Sequence, residues 1–132
     1  MFDGIEKEFL FSNKQMKYPE AKSFCVNLDA KLFEPRSKSI TCNVIDQAKR
    51  ELIGDFWLGI HDKASEGNFV YDSDNQPIDW SDWAEGEPNN LGYGENCAVV
   101  DKNGEWVDLP CNWSPWKRSI VCERDTQDKY TV

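Results

Sequence analysis

Cysteines stand at positions 25, 42, 97, 111 and 122 of this 132-residue chain, and an odd number in so short a chain constrains both fold and compartment. Spacing alone allows many pairings, so the pattern around each cysteine carries the next step. From Tyr18 the chain reads as a helix: Pro19 suits a first-turn position, and Ala21, Phe24, Cys25, Leu28 and Leu32 recur at three- and four-residue intervals. Cys25 then belongs to a buried stripe. A second helix from Ser39 offers Ile40, Val44, Ala48 and Leu52 as its stripe, with Cys42 roughly 200° around the wheel from it. Cys42 is expected to face outward and is the simplest choice of odd cysteine. The other three lie in the Trp-rich C-terminal half, where residues 97–100, 106–108 and 119–123 alternate like strands.

Residues 7–11 read as a first strand, the helices run to about Gly54, residues 56–60 form an apolar strand holding Trp57, Leu58 and Gly59, and a return strand follows near 68–71. Residues 72–96 are rich in Asp, Asn, Gly and Pro; a loop of that length inside a compact domain is usually functional. No repeat or linker interrupts the chain, so residues 1–132 are expected to form one domain, with a polar tail at 124–132 that frays. Lys and Arg number 15 against 24 Asp and Glu, a formal charge of −9, which argues against nucleic acid as a partner. An aromatic share of 13% with six Trp separates the chain from acidic disordered sequences and points to a packed or sugar-facing surface. No apolar run approaches the ~20 residues of a membrane span. The start carries Asp3, Glu6, Lys7 and Glu8 rather than the basic-then-apolar pattern of a signal peptide, so a secreted form is expected to have lost its signal.

Catalytic constellations are missing. One histidine and scattered serines give no Ser-His-Asp set, and neither a phosphate-cradling loop nor an HExxH helix is present, so no enzyme is expected. His61 reads as a surface or strand-end residue rather than a metal ligand. Asp72, Asp74 and Gln76 start like a calcium loop, but Pro77 holds the glycine position and Trp83 the terminal glutamate position, which excludes an EF-hand. What remains is a supply of oxygen donors: Glu87-Pro88-Asn89-Asn90, then Glu95-Asn96, then Trp106-Val107-Asp108. Calcium takes six to eight hard oxygens from such groups, and a divalent ion removes the repulsion between neighbouring carboxylates.

These segments, with the helix at 21–32, Trp57-Leu58-Gly59-Ile60, Gly94-Glu95-Asn96-Cys97 and Cys111, resemble the C-type lectin domain over almost the whole chain. The resemblance implies an α+β fold of two helices with antiparallel sheets and a long calcium-binding loop region. It also implies disulfides Cys25–Cys122 and Cys97–Cys111, with Cys42 free or intermolecular. Glu87, Asn89, Glu95 and Asp108 would hold the primary calcium and hydrogen-bond two vicinal hydroxyls of a sugar, beside a cis Pro88; Leu91 and Leu109 would pack against the ring. Glu87-Pro88-Asn89 is similar to the mannose-type motif, which selects equatorial hydroxyls as in mannose, glucose, fucose or N-acetylglucosamine, where a Gln-Pro-Asp order goes with galactose. Asp62, Glu66, Asn90 and Asn96 fall at positions resembling an auxiliary calcium site.

The departure is Val107, where the family usually has Asn: valine supplies neither a calcium ligand nor a hydrogen bond worth about 0.5–1.5 kcal/mol. The expected function is therefore calcium-dependent, mannose-type glycan recognition by a secreted lectin. The alternative is a calcium-weak domain of the same fold binding a protein, mineral or ice surface. Trp57, Trp80 and Trp106 are expected in the core; Trp83, Trp113 and Trp116 are candidates for secondary sugar contact. Asn112-Trp113-Ser114 is an N-glycosylation sequon followed by Pro115. Cys42 offers a disulfide-linked homodimer, in which avidity would raise binding to a glycan surface.

Overall fold

The computed structural model describes residues 7–65, 67–88, 96–111 and 117–125. Its elements run β1 (Lys7–Met16), α1 (Tyr18–Val26), β2 (Lys31–Leu32), α2 (Lys38–Arg50), β3 (Phe56–His61), β4 (Val70–Tyr71), β5 (Cys97–Val100), β6 (Trp106–Leu109) and β7 (Arg118–Asp125). The strands form one mixed sheet in the order β1-β7-β3-β5-β6, with β2 on β7 and β4 on β3. Its pairings are antiparallel except for one parallel contact between β3 and β7, Phe56 opposite Ser119.

The first helix starts where the sequence predicts and the second one residue earlier, at Lys38, and both end differently. In α1, Pro19 lies in the first turn and the Glu20 carboxylate accepts from the Lys17 N–H at 3.1 Å. The helix ends at Val26 because Asp29 takes a left-handed conformation (φ 58°), which Asp tolerates, and the Ala30 N–H turns back to the Cys25 carbonyl. Leu28 is therefore exposed, and Leu32 is buried not on a helical stripe but in β2, opposite Cys122. The spacing of 25, 28 and 32 imitates a helix across a chain reversal. In α2, Ser37 Oγ accepts from the Ile40 N–H at 3.3 Å, while Lys49 and Arg50 complement the negative end of the last turn. Thr41, Val44 and Ala48 face inward; Ile40 is half exposed and Leu52, past the helix end with φ 59°, is 87% exposed. The buried stripe is thus rotated from the expected one, and Cys42 is free and exposed, as its position on the wheel requires.

The sheet divides its side chains between two apolar clusters by the period-two rule of strands. On the α2 side, Phe56, Leu58, Ile60, Ala98, Val100, Trp106 and Val121 pack with Val44 and Ala48. Trp57, Cys97, Val99, Leu109, Ile120 and Cys122 pack on the α1 side with Tyr18, Ala21 and Cys25. The central strand β3 is buried on both faces, which explains its unbroken apolar run. Gly59 within it is required by space: a Cβ there would lie 3.0 Å from the Leu32 carbonyl oxygen. Disulfides Cys25–Cys122 and Cys97–Cys111 are both formed, one tying α1 to β7 and the other tying β5 to the chain after β6. The first strand runs five residues beyond its expected end, and β7 reaches Asp125, whose partner is Lys7; the start of the polar tail is thus held in the sheet.

A buried carboxylate fastens the long loop to this frame. Glu34, 3% exposed, accepts from the Ser73 N–H at 2.8 Å and the Ser73 hydroxyl at 3.0 Å, and pairs with Lys31 and Arg36. Arg36 also lies 4.1 Å from the centre of the Tyr71 ring and pairs with Asp74. The Trp80 indole N–H donates to the Pro35 carbonyl at 2.7 Å, so residues 34–36 hold the loop at both 73 and 80. Glu34→Ala should lower unfolding free energy by about 2–3 kcal/mol, the scale of charge-assisted hydrogen bonds lost from a buried acceptor. Urea denaturation reads this; a loss under about 0.5 kcal/mol would mean the loop does not depend on Glu34.

Candidate functional site

Three strand ends meet at one end of the sheet. Asp62 follows β3 directly, and its N–H donates to the carbonyl of Asn96, which precedes β5, at 3.0 Å. Across the next pairing Ala98 lies opposite both Leu58 and Asp108, so β6 delivers Asp108 to the same region. Asp108 is 1% exposed and Asp62 2%, burial that carboxylates rarely tolerate without compensation. Asp62 Oδ2 accepts from the Gly67 N–H at 2.8 Å; its Oδ1 is buried and has no hydrogen-bond partner among the described residues.

The Glu87-Pro88 turn is brought alongside β6 by a short ladder. Trp83 bridges Trp106 in parallel, the Ala84 N–H donates to the Trp106 carbonyl, and the Trp106 N–H donates to the Asp82 carbonyl, each at 2.9 Å. The chain then turns through Gly86 (φ 83°), where the Glu87 N–H returns to the Ala84 carbonyl, and enters a cis Glu87-Pro88 peptide. One Glu87 carboxylate oxygen is shut off from solvent. Aromatic rings set this ladder: Trp80 and Trp83 meet Trp106 at 5.1 and 5.5 Å between centres, and Phe69 meets Trp83 at 4.8 Å.

Trp57 and Trp106 are fully buried and Trp80 packs against the core, as expected. Trp83, a candidate for secondary sugar contact, is partly buried and packs against Phe69 and Trp106. Leu109 is corrected: at 6% exposure it belongs to the cluster under α1, with no face left for a sugar ring. Val107 lies opposite Val99 and packs against the same cluster. His61 ends β3, with Nε2 3.6 Å from Asp72; burial and then the Lys63 charge push its imidazole below the ordinary range, favouring the neutral form at pH 7. Glu66, Asn89, Asn90, Leu91, Glu95, Asn112, Trp113 and Trp116 lie outside the described residues.

The donor set that is described, Asp62, Glu87, Asn96 and Asp108, is all hard oxygen, and the buried Oδ1 of Asp62 fits a hard divalent cation such as calcium. Among the described residues, His, Cys, Asp and Glu do not gather three at a time around a metal-sized space. The remaining proposed donors, Glu66, Asn89, Asn90 and Glu95, lie outside the described residues. Sequence reasoning missed the Glu34 and Trp83 fastenings of this loop; a lone Glu inside Leu32-Phe33-Glu34-Pro35 is the one hint the chain offers.

A family model described as the Lectin C-type domain matches residues 14–124. The chain belongs to the C-type lectin domain family. Members of this family are in general not enzymes. This C-type lectin domain is 30% identical over 119 residues to Collectin-11 of Danio rerio, covering 90% of this chain and 43% of that protein. It thus spans about two fifths of that relative's length. Among solved structures it is similar to the cow carbohydrate-recognition domain of CD23, studied in the presence of a GlcNAc2Man3 oligosaccharide, with TM-score 0.80, 32% identity, and coverage of 91% and 88% of the two chains. The mouse scavenger receptor C-type lectin domain gives TM-score 0.81 at 24% identity, with 94% of each chain covered. No helix among the described residues is long and apolar enough to cross a membrane.

Proposed function

We propose that this C-type lectin domain binds mannose-type glycans through calcium, with Glu87, Asn89, Glu95 and Asp108 holding the ion and the sugar. The observation that carries this reading is the Trp106 ladder, which sets the Glu87-Pro88 turn beside a strand bearing a buried carboxylate at Asp108. The identity with CD23, studied with a mannose-containing oligosaccharide, supports it. Calcium, when bound, would supply an electrophilic centre whose shell two vicinal hydroxyls complete. The ligand carboxylates then accept from those hydroxyls, and the Asn89 amide donates to one. Asp62, Glu66, Asn90 and Asn96 would hold a second, supporting ion. The domain would act outside the cell, where its disulfides persist. Exposed Cys42 offers a bridge to a second chain, which non-reducing electrophoresis reads directly. Retention on immobilised mannose in calcium and release by EDTA test the main reading; a chain that flows through in calcium overturns it.

A second reading is favoured by Val107, whose side chain packs on the α1 cluster where the family has a ligand and donor. On that reading the domain keeps the fold but binds calcium weakly and contacts a macromolecular surface without sugar. Val107→Asn separates the two. In a sugar-binding site the added ligand and donor should tighten calcium and mannose binding by about two- to tenfold, while losing about 1 kcal/mol of stability from the apolar contact. Calorimetric titration of the parent and the variant decides it: on the second reading the parent does not bind mannose.

A further inference from the structure

We propose that the outer edge of β1 is a self-association surface, on which β1 of a second copy of this chain pairs antiparallel about a two-fold axis at Leu10. β1 closes one end of the sheet, and among the described residues its pairing partner is β7, on its inner side. Strand edges in natural proteins are usually blunted by charge, proline or a bulge. The regular part of this one, Lys7 to Ser12, carries its charges at one end, Lys7 and Glu8, and Phe9-Leu10-Phe11 at its centre; its irregularity comes only after Ser12. Leu10 is 44% exposed. Grooves flank the strand on both sides: one of ≈ 280 Å³ lined by Glu8, Leu10, Leu28 and Ala30, and one of ≈ 470 Å³ lined by Phe9, Phe11, Ile40 and Val44.

The strand's own sequence is its best complement. Directly opposed residues in an antiparallel pair must both turn their backbone groups toward the partner or both turn them away, so a symmetric pair is centred on a residue and not between two. Centred on Leu10, each Phe9 meets Phe11 of the other copy, Leu10 meets its counterpart, Glu8 meets Ser12 and Lys7 meets Asn13. Glu8, which already pairs with Arg124 of its own chain at 2.8 Å, is then diagonal to Lys14 of the other copy, and no like charges are opposed. Both lie on the Leu10 side: Glu8 shares its groove, and Lys14 Nζ lies 5.8 Å from the Phe24 ring centre on α1. Centring on Phe9 would set Lys7 against Phe11 and Glu8 against Leu10. With Phe11 at the centre, Phe9 and Leu10 would meet Asn13 and Ser12. A second copy is thus the occupant that matches apolar to apolar and polar to polar across the regular part of the edge. β6, which carries Asp108, closes the opposite end of the sheet, so the pairing leaves that end open on both copies. Cys42 lines neither groove and takes no part.

The test uses the full chain with Cys42→Ser, in EDTA, so that neither a Cys42 bridge nor calcium contributes. Sedimentation across the micromolar range is expected to show a monomer–dimer equilibrium that Leu10→Lys, a change at an exposed position, weakens by about tenfold or more. Leu10→Cys in the same background is expected to cross-link to its counterpart on mild oxidation, since opposed Cβ atoms lie about 5 Å apart. Lys102→Cys, exposed on the turn between β5 and β6 at the far end of the sheet, should not. A monomer at every concentration, or Leu10→Cys cross-linking no faster than Lys102→Cys, overturns the proposal.

Discussion

Replacing Cys25 and Cys122 together by alanine should remove about 4–5 kcal/mol of folding free energy, the largest loss we expect from any change outside the loop region. The bridge closes 97 residues of sequence, and in the chain-entropy account the denatured state gains freedom with the logarithm of that number. Cys97–Cys111 closes only 14, for which the same account gives about 3 kcal/mol. Both sulfurs of the long bridge are buried between α1 and β7, so truncation also leaves a small void beside Tyr18, Leu32 and Trp57. Against a total of about 5–15 kcal/mol for a domain of this size, the double variant is close to the threshold of folding at 37 °C. Urea denaturation of the two double variants beside the parent measures both numbers. If the Cys25/Cys122 pair costs less than the Cys97/Cys111 pair, loop length is not what sets the contribution.

The sequence was most legible where one face decides the pattern. Cys25 and Ala21 follow the helical period because α1 packs a single stripe on the sheet, and Trp57 and Trp106 are buried because their strands are covered. It was least legible where tertiary contacts cut across local periodicity. Leu28 and Leu32 continue the spacing of α1, yet Asp29 reverses the chain between them and β7 takes Leu32 as a strand residue. Ile40 lost its place in the α2 stripe to Thr41, whose hydroxyl donates to the Ser37 carbonyl at 2.7 Å and so is buried without penalty. In the candidate site, the order of the proposed donors was plain in the chain, but the placement of the strand ends and the turn that carry the described ones was not. It depends on the register that sets Ala98 against Asp108 and on the Trp83–Trp106 bridge, neither of which leaves a local signal. Leu109 follows strand alternation: two residues after Val107, it faces the same apolar cluster.

Asp108→Asn should abolish calcium-dependent behaviour while leaving the fold in place. The amide keeps the shape of the side chain in a position that is 1% exposed, and it removes one buried charge. In calcium-free buffer the variant is therefore expected to be as stable as the parent, within about 1 kcal/mol. With calcium the two should part. An ion that binds only the folded chain stabilises the parent by about 2.7 kcal/mol at a hundred times its dissociation constant. Losing a ligand carboxylate should weaken that affinity about 100-fold or more, beyond the 10- to 100-fold typical of groups that merely orient a ligand. At the same calcium concentration the gain then falls to about 0.4 kcal/mol. Retention on mannose should vanish with it, since in the proposed site the same carboxylate accepts from a sugar hydroxyl. Denaturation with calcium and with EDTA, run on both proteins, reads the effect. A variant that keeps the parent's full calcium-dependent stabilisation would place the ion away from the β6 carboxylate, even if mannose still bound.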